Sequence, residues 1–245
     1  TVLCVDKTGT LTLNRMTVGM LYADGVFHDV QDYSCGPPRD KFHDLAEFGI
    51  LASQRDPFDP MERAIKDFGE AYLAHTEHLH GDWRLERSYP LSPELLAMSH
   101  VWRSRDGNDY IIAAKGAPEA IADLCHFSKE RMAALNQTVM AMADKGLRVL
   151  AVARSRFREE QLPGLQHDFT FEFLGLIGLE DPIRPAVPEA IRVCYKAGIQ
   201  VKMVTGDYPK TAQNIAQEIG LSNPFQALTG LEIDHLKPEE LRKRV

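Results

Sequence analysis

The sequence has no apolar run long enough to cross a membrane. Across its 245 residues the longest such stretch is F-L-G-L-I-G-L at 173–179, whereas a spanning helix needs about 20 apolar residues. With 44% apolar and 26% charged residues, the composition instead indicates a globular chain. The chain is long enough to bury a sizeable core and to form one or two domains.

Cysteine and positive charge are also scarce. There are four cysteines and none of them forms a C-x-x-C pair, so we expect a reduced, intracellular chain. Lysine and arginine number 28 against 35 acidic residues, which gives a net charge of -7. Because no basic cluster offsets this acidic balance, the sequence argues against nonspecific nucleic-acid binding.

The patterns along the chain predict a discontinuous α/β organisation. An apolar strand at residues 1–5, which we predict to be buried, opens the chain, and strand–helix units of the parallel-sheet type return after Asp181. Between them lie helix and hairpin patterns, including a D-G turn at 24–25, a strand Y-I-I-A-A-K at 110–115 and a helix that begins at Pro118 and Glu119. We therefore predict an α/β domain made of 1–14 and 182–245, interrupted by an inserted α+β domain at 15–181.

Two motifs follow predicted strands of the α/β domain. D-K-T-G-T starts at Asp6 and T-G-D starts at Thr205, and ligands bind such sheets at the carboxyl ends of the strands. A carboxylate can act as a nucleophile toward phosphorus, and Mg²⁺ can neutralise the phosphate charge. From the residues alone, an ordinary turn and a helix N-cap also explain these motifs.

Four motifs occur in a fixed order: D-K-T-G-T-L-T at 6–12, K-G-A-P-E at 115–119, D-P-I-R-P at 181–185 and T-G-D at 205–207. They resemble the signatures of P-type ATPases, the ATP-driven ion pumps, over nearly the whole chain. K-G-A-P-E and L-T-L-N-R-M-T-V look like the calcium-type pumps, including bacterial ones. The resemblance implies a haloacid-dehalogenase-like, Rossmann-type phosphorylation domain, here incomplete, with an inserted α+β nucleotide-binding domain.

The resemblance implies that the two strand ends carry the catalysis. Asp6 would take the γ-phosphate of ATP and become an aspartyl-phosphate, and its carboxylate and the Thr8 main-chain carbonyl would bind Mg²⁺. Thr205 and the Gly206 amide would hold the phosphate, and Asp207 would order the site. The residues assigned to catalysis are Asp6, Lys7, Thr8, Thr205, Gly206 and Asp207.

The resemblance also implies an ATP site on the inserted domain, formed by Glu62, Leu91, Lys115, Gly116 and Arg148. Lys115 would line the adenine pocket, Glu62 would lie near the adenine amino group, and Arg148 would meet the phosphates. Taken singly, each charged residue has a plainer explanation, as a cation at a strand end or an exposed acid in the first turn of a helix.

One stretch departs from the family pattern P-F-x-S-x-x-K-x-M-S. Here it reads P-L-S-P-E-L-L-A-M-S at 90–99, so Leu91 replaces the aromatic residue and Leu96 replaces the lysine. The residues that would stack on adenine and place one cation near the nucleotide are therefore replaced, and we expect weak ATP binding. We predict that the neighbouring Tyr89 supplies the stacking instead.

A histidine-rich stretch, H-T-E-H-L-H at 75–80, is interpreted as a solvated helix end and loop. Its spacing fits no recognised zinc pattern. The sequence therefore assigns it no part in the predicted site.

Two other classes of protein remain open beside a cation pump. The first is a soluble phosphatase of the haloacid dehalogenase type with a large cap, but such enzymes carry a second aspartate as general acid where this sequence has Thr8. The second is a nucleotide-binding regulatory module without chemistry. K-G-A-P-E alone allows that module, whereas D-K-T-G-T and T-G-D argue against it.

The chain is expected to be a cytoplasmic fragment of an integral membrane pump. It begins without methionine, and the acidic G-D-G-V-N-D-A-P motif of the family is not among its residues. We therefore expect it to bind nucleotide without turnover. The transported cation would bind to membrane helices that this chain lacks, so its identity stays open. The resemblance favours calcium and leaves proton, sodium, magnesium and manganese as alternatives.

Overall fold

The computed structural model describes residues 1–30, 42–103, 109–158, 161–206 and 209–244. The chain divides into a larger and a smaller compact unit. The larger one consists of Asn14–Ala143 and Leu147–Pro182, and the smaller one of Thr1–Leu13, Asp144–Gly146 and Ile183–Val245. Among the described residues, no helix has both the length and the apolar character needed to cross a membrane.

Nine strands and eight helices are described. The strands are β1 (Val2–Asp6), β2 (Thr17–Ala23), β3 (Val26–Asp29), β4 (Arg84–Tyr89), β5 (Ala97–Arg103), β6 (Tyr110–Gly116), β7 (Arg148–Phe157), β8 (Glu172–Glu180) and β9 (Gln200–Val204). The helices are α1 (His43–Leu51), α2 (Pro60–Tyr72), α3 (Pro118–Leu124), α4 (Lys129–Ala143), α5 (Val187–Lys196), α6 (Pro209–Glu218), α7 (Gly230–His235) and α8 (Pro238–Arg244).

The larger unit is built on one seven-stranded sheet. Its order is β3-β2-β8-β7-β6-β5-β4, and each neighbouring pair is antiparallel. The predicted D-G turn joins β2 to β3, with Asp24 at φ 49° and Gly25 at φ 77°. Two successive left-handed residues give the turn whose twist suits a two-residue hairpin. The mixed α+β character predicted for this region is confirmed.

Helices cover both faces of this sheet. On one face α1 and α2 pack against alternate residues such as Trp102, Ala113 and Val152. On the other face α3 and α4 pack against Ile112 and Ala151. Because successive side chains of a strand point to opposite faces, each central strand contributes to two separate cores.

The smaller unit pairs β1 with β9 in parallel. Its core includes Leu11, Val187, Ile191 and Val201, so the loop after β1 packs with α5 and β9. The prediction that the first strand is buried is wrong, because β1 has an exposed side-chain pattern. Within the described residues β9 is its one neighbouring strand, and a single neighbour leaves much of its surface uncovered.

Candidate functional site

β1 and β9 end at the same edge of the smaller unit's sheet. Asp6 at the end of β1 is in register with Val204 at the end of β9. Thr205 and Gly206 follow directly, so they share one carboxyl edge with Asp6, about one strand spacing of 5 Å away. Asp207, which the sequence also assigned to this site, lies outside the described residues.

The loop after Asp6 is closed by Thr12. The Gly9 amide donates to Thr12 Oγ1 at 3.2 Å, and the Thr12 amide donates to the Lys7 carbonyl at 3.1 Å. Gly9 has φ 76°, which glycine adopts at little cost. The Lys7 side chain is buried, whereas Asp6 and Thr8 are exposed. The loop therefore presents a carboxylate and a neighbouring threonine from a hydrogen-bonded frame.

The exposed groups of this loop suit a small divalent cation. The Asp6 side chain makes no capping hydrogen bond to the amides that follow it. A carboxylate of Asp6 and a main-chain carbonyl at Thr8 are oxygen ligands of the kind that Mg²⁺ prefers. The donor set therefore fits Mg²⁺.

Lys115 and Glu62 form a buried ion pair in the larger unit. Lys115 on β6 is 5% exposed and Glu62 on α2 is 7% exposed. The Lys115 Nζ donates to Glu62 Oε1 at 2.5 Å and to Ser53 Oγ at 2.8 Å. The amide of Gln54 donates to the other Glu62 oxygen at 3.3 Å. The structure thus joins two residues predicted separately, and it excludes the explanation of Glu62 as an exposed acid.

Local sequence signals explain where this pair sits. Asp59 caps α2, because its Oδ1 accepts from two first-turn amides at 2.8 and 3.2 Å, the second being that of Glu62. Pro60 follows at the first helical position, where its missing N–H has no consequence. Lys115 shares the period-2 alternation of β6 with Ala113, which packs against α1 and α2. Helix start and strand alternation therefore bring the two charges to one face.

The imidazole of His100 lies beside the ion pair. Burial lowers the pKa of Lys115 below its ordinary value, although the hydrogen bond and charge of Glu62 oppose that shift. Burial also lowers the pKa of His100, assisted by the charge of Lys115 and opposed by the hydrogen bond to Leu51. His100 is 3% exposed, and its Nδ1 lies 3.1 Å from the Leu51 carbonyl oxygen, to which it donates.

Sequence reasoning missed Ser53 and His100 as members of this polar group. The sequence contains part of the signal for His100, which is its spacing of two residues from Met98. The structure shows that Met98 is the cross-strand partner of Lys115. Residues two apart on a strand share a face, so the strand pattern places His100 near Lys115 once the pairing of β5 with β6 is known. Ser53 follows α1 and carries no comparable signal.

Four other residues linked to the nucleotide lie toward one end of the same sheet. Leu91 and Leu96 are 57% and 53% exposed, and Leu96 precedes β5, whose first residue pairs with Gly116. A Cβ on Gly116 would lie 2.3 Å from the Leu96 carbonyl oxygen, so packing alone requires glycine there. Gly116 is in register with Ala151, three residues after the exposed Arg148.

The prediction that Tyr89 stacks on adenine is wrong. Tyr89 is 6% exposed, its ring meets that of Phe169 edge to face at 5.6 Å, and its hydroxyl donates to the Pro163 carbonyl at 2.6 Å. As the last residue of β4, it points into the core rather than toward the neighbouring loop. The exposed residue in that loop is Leu91.

Two histidines of the stretch at 75–80 contact a buried glutamate. The His78 Nδ1 lies 2.5 Å from Glu47 Oε2, and the His80 Nε2 lies 2.8 Å from Glu47 Oε1. Their side chains are 26% and 17% exposed, and that of Glu47 is 10% exposed. The interpretation of this stretch as solvated is therefore wrong for His78 and His80. The sequence pattern could not show that α1 presents a carboxylate to this loop.

Comparison with known proteins places the chain in a family. Residues 58–186 match the family described as P-type ATPase, cytoplasmic domain N. A calcium-transporting ATPase 1 of Bacillus cereus is 29% identical to this chain, in an alignment that covers 100% of this chain and 29% of that protein. The sodium/potassium-transporting ATPase subunit alpha-3 of Homo sapiens is 32% identical over 89% of this chain and 26% of that protein. The chain belongs to the P-type ATPase family.

These similarities confirm the resemblance found in the sequence motifs. The chain also matches the sodium/potassium exporting P-type ATPase cta3 of Schizosaccharomyces pombe at 32% identity, over 75% of this chain and 20% of that protein. The chain thus spans less than a third of the length of these relatives. Because the names of these relatives include calcium, sodium and potassium transport, the similarity does not favour one of these ions over the others.

Proposed function

We propose that this chain forms the catalytic, cytoplasmic part of an ATP-driven cation pump. The observation that carries the proposal is the parallel pairing of β1 with β9, which supports a shared site for Asp6, Thr205 and Gly206. The smaller unit acts as a haloacid-dehalogenase-like phosphorylation domain made of 1–14 and 182–245. The inserted domain at 15–181 binds the nucleotide.

The chemistry is transfer of one phosphoryl group. An Asp6 carboxylate oxygen attacks the γ-phosphorus of ATP, the bond from that phosphorus to the bridging oxygen breaks, and ADP leaves with the electron pair. Water later cleaves the aspartyl-phosphate, which releases inorganic phosphate and restores the carboxylate. Thr8 stands where a soluble phosphatase has its general acid, so the aspartyl-phosphate persists long enough to drive transport.

Residues around Asp6 position the reacting groups. The Asp6 carboxylate and the Thr8 carbonyl would hold Mg²⁺, which would neutralise phosphate charge there. Thr205 and the Gly206 amide hold the transferred phosphoryl oxygens, Asp207 orders the site, and Lys7 completes the catalytic set. The closed Lys7–Thr12 frame keeps Asp6 exposed toward the incoming phosphate.

The larger unit holds ATP at the Lys115 end of its sheet. Glu62 and Lys115 line the adenine site, with Leu91 and Gly116 beside them, and Arg148 meets the phosphates. Lys115 and Glu62 already satisfy each other, so adenine must compete with that pair for hydrogen bonds. An aliphatic Leu91 offers contact without aromatic stacking. We therefore expect ATP binding to be weak.

The complete pump resides in a membrane and moves a cation across it. The cation site lies in membrane helices, and ATP consumption at Asp6 drives its release. The names of the relatives support calcium, sodium and potassium as candidates, with the motifs favouring calcium.

Phosphorylation of Asp6 is tested in the complete pump with γ-labelled ATP. We expect an acid-stable label that hydroxylamine removes, as an acyl phosphate requires, and complete loss of this label in Asp6→Asn. Asp24→Asn is the matched control, because Asp24 is an exposed aspartate in the hairpin turn, where asparagine tolerates positive φ. Labelling that persists in Asp6→Asn would refute the proposed nucleophile.

Nucleotide binding is tested separately by calorimetry on this chain. Arg148→Ala should weaken ATP binding by about tenfold through loss of one phosphate contact, and should leave adenosine binding unchanged. Lys115→Ala should abolish both. Equal losses for ATP and adenosine in Arg148→Ala would contradict the phosphate role of Arg148 without bearing on Asp6.

A further inference from the structure

Imidazole and carboxylate ligand atoms converge between α1 and the loop that follows α2. Asp44 and Glu47 are three residues apart on α1 and so share one face of the helix. Their ligand atoms and that of His78 all lie within 4.8 Å of one another. His80 approaches the second oxygen of Glu47 at 2.8 Å. Three ligand atoms therefore converge beside α1, and His80 reaches the second oxygen of the same glutamate. We call these four side chains the Glu47 cluster.

The spacing within the cluster is close to that of a tetrahedral metal site. With metal–ligand bonds of about 2.0–2.2 Å, neighbouring ligand atoms in a tetrahedron lie roughly 3.3 Å apart. The Glu47 oxygens lie 2.5 Å from the His78 Nδ1 and 2.8 Å from the His80 Nε2. Each imidazole nitrogen would have to move less than about 1 Å from its Glu47 oxygen to reach this spacing. Small rotations of the side chains allow such movements.

The loop that carries the histidines is ordered by its own contacts. The Thr76 hydroxyl donates to the Leu73 carbonyl at 2.7 Å, and the His78 amide donates to the Thr76 oxygen at 3.3 Å. The ring of His80 stacks on Trp83 at 3.7 Å. These contacts order the loop and orient the His80 ring before any ion binds, which reduces the entropy lost on binding.

The charges around the cluster favour a transition metal over calcium or magnesium. Arg154 donates to one oxygen of Asp44 at 2.5 Å, which lowers the net negative charge and leaves the other Asp44 oxygen for a ligand bond. Two imidazoles with carboxylates suit Zn²⁺ and similar ions, whereas Ca²⁺ and Mg²⁺ prefer oxygen ligands alone.

We propose that Glu47, His78, His80 and Asp44 bind one divalent transition-metal ion of the Zn²⁺ type. The ion ties the 73–83 loop to α1, next to the helix that carries Glu62. The site is independent of the nucleotide chemistry, so its failure would leave the proposed function untouched.

The test compares variants that keep the hydrogen bonds to Glu47 but lose the metal ligands. Asparagine places a donor where His78 has Nδ1, and glutamine places one where His80 has Nε2, yet amides are poor ligands for Zn²⁺. The double variant His78→Asn and His80→Gln is titrated with Zn²⁺ after chelator treatment. His75→Asn is the matched control, because His75 is an exposed residue of the same loop with φ 67°.

We expect the chelator-treated chain to bind one Zn²⁺ saturably, without nucleotide. The melting temperature of the larger unit should rise by roughly 5–10 °C when free Zn²⁺ is a hundred times its dissociation constant. The double variant should lose about a hundredfold or more in affinity, and His75→Asn should match the unmodified chain. Equal affinity in the double variant, or no saturable binding by the unmodified chain, would overturn the proposal.

Cobalt provides a readout that needs no variant. Co²⁺ added to the chelator-treated, unmodified chain should give the intense visible bands of a tetrahedral nitrogen and oxygen site, and Zn²⁺ should displace them. Only the weak spectrum of hydrated Co²⁺ would contradict the site, even if the double variant failed to fold.

Discussion

Removing one partner of the Lys115–Glu62 pair should destabilise the larger unit more than removing both. Each single change, Lys115→Met or Glu62→Met, leaves one charged or polar group buried at a site where both residues are less than 10% exposed. We expect each to lower the free energy of unfolding by about 3–5 kcal/mol at pH 7. The double change should leave stability within about 1 kcal/mol of the parent or above it, since both desolvation penalties disappear.

The expected coupling follows from the geometry of the pair. At the 2.5 Å contact between the Lys115 Nζ and Glu62 Oε1, two unit charges attract by roughly 6–7 kcal/mol at an effective dielectric constant of 20. Burial nevertheless lowers the pKa of Lys115, although the hydrogen bond and charge of Glu62 oppose that shift. Removing one partner of such a buried pair is strongly destabilising, whereas replacing both partners with apolar residues changes the free energy of unfolding little.

Urea unfolding followed by tryptophan fluorescence measures this cycle. Trp83 and Trp102 both belong to the larger unit, so the signal reports that unit alone. The four midpoints and slopes give the coupling energy directly. Single changes that cost less than about 1 kcal/mol each, with an additive double variant, would refute the assignment of a mutually dependent buried pair.

Two further predictions concern residues next to the pair. Burial lowers the pKa of His100, so the unfolded chain binds a proton at a higher pH than the folded chain does. The free energy of unfolding should therefore fall as the pH drops below about 6.5. His100→Asn should flatten this fall between about pH 6.5 and 5, whereas the same change at the exposed His126 should not. Gly116→Ala should cost several kcal/mol, because the new Cβ would meet the Leu96 carbonyl oxygen at 2.3 Å, whereas Gly164→Ala, with open space around it, should change the melting temperature little.

Local patterns in the sequence were enough to predict most elements of the larger unit. The apolar run Y-I-I-A-A-K became β6, and the Pro118 and Glu119 start became α3, because strand alternation and helix capping are encoded by neighbouring residues. The order of the strands could not be predicted from such local patterns. β8 lies between β2 and β7, and periodicity along one segment does not state which distant segment will pair with it.

For the candidate site too, local patterns identified individual residues but not their contacts with distant parts of the chain. Lys115 and Glu62 were identified from motifs, but their direct contact depends on how α2 lies over β6, which no local pattern specifies. Tyr89 shows the converse error, because closeness in sequence to Leu91 suggested a shared role. As the final residue of β4, it faces the core instead, and a shift of one residue along a strand reverses the face.

The pairing of β1 with β9 also sets an order of events during synthesis. About 190 residues separate Asp6 from Gln200, so at roughly 5–20 residues per second the ribosome needs about 10–40 s to make the partner of the first strand. The larger unit is complete by then, since its last strand ends at Glu180. β1 must therefore wait for its partner strand until the residues of the larger unit have been synthesised, and the edge that presents Asp6 forms later than the strands of that unit.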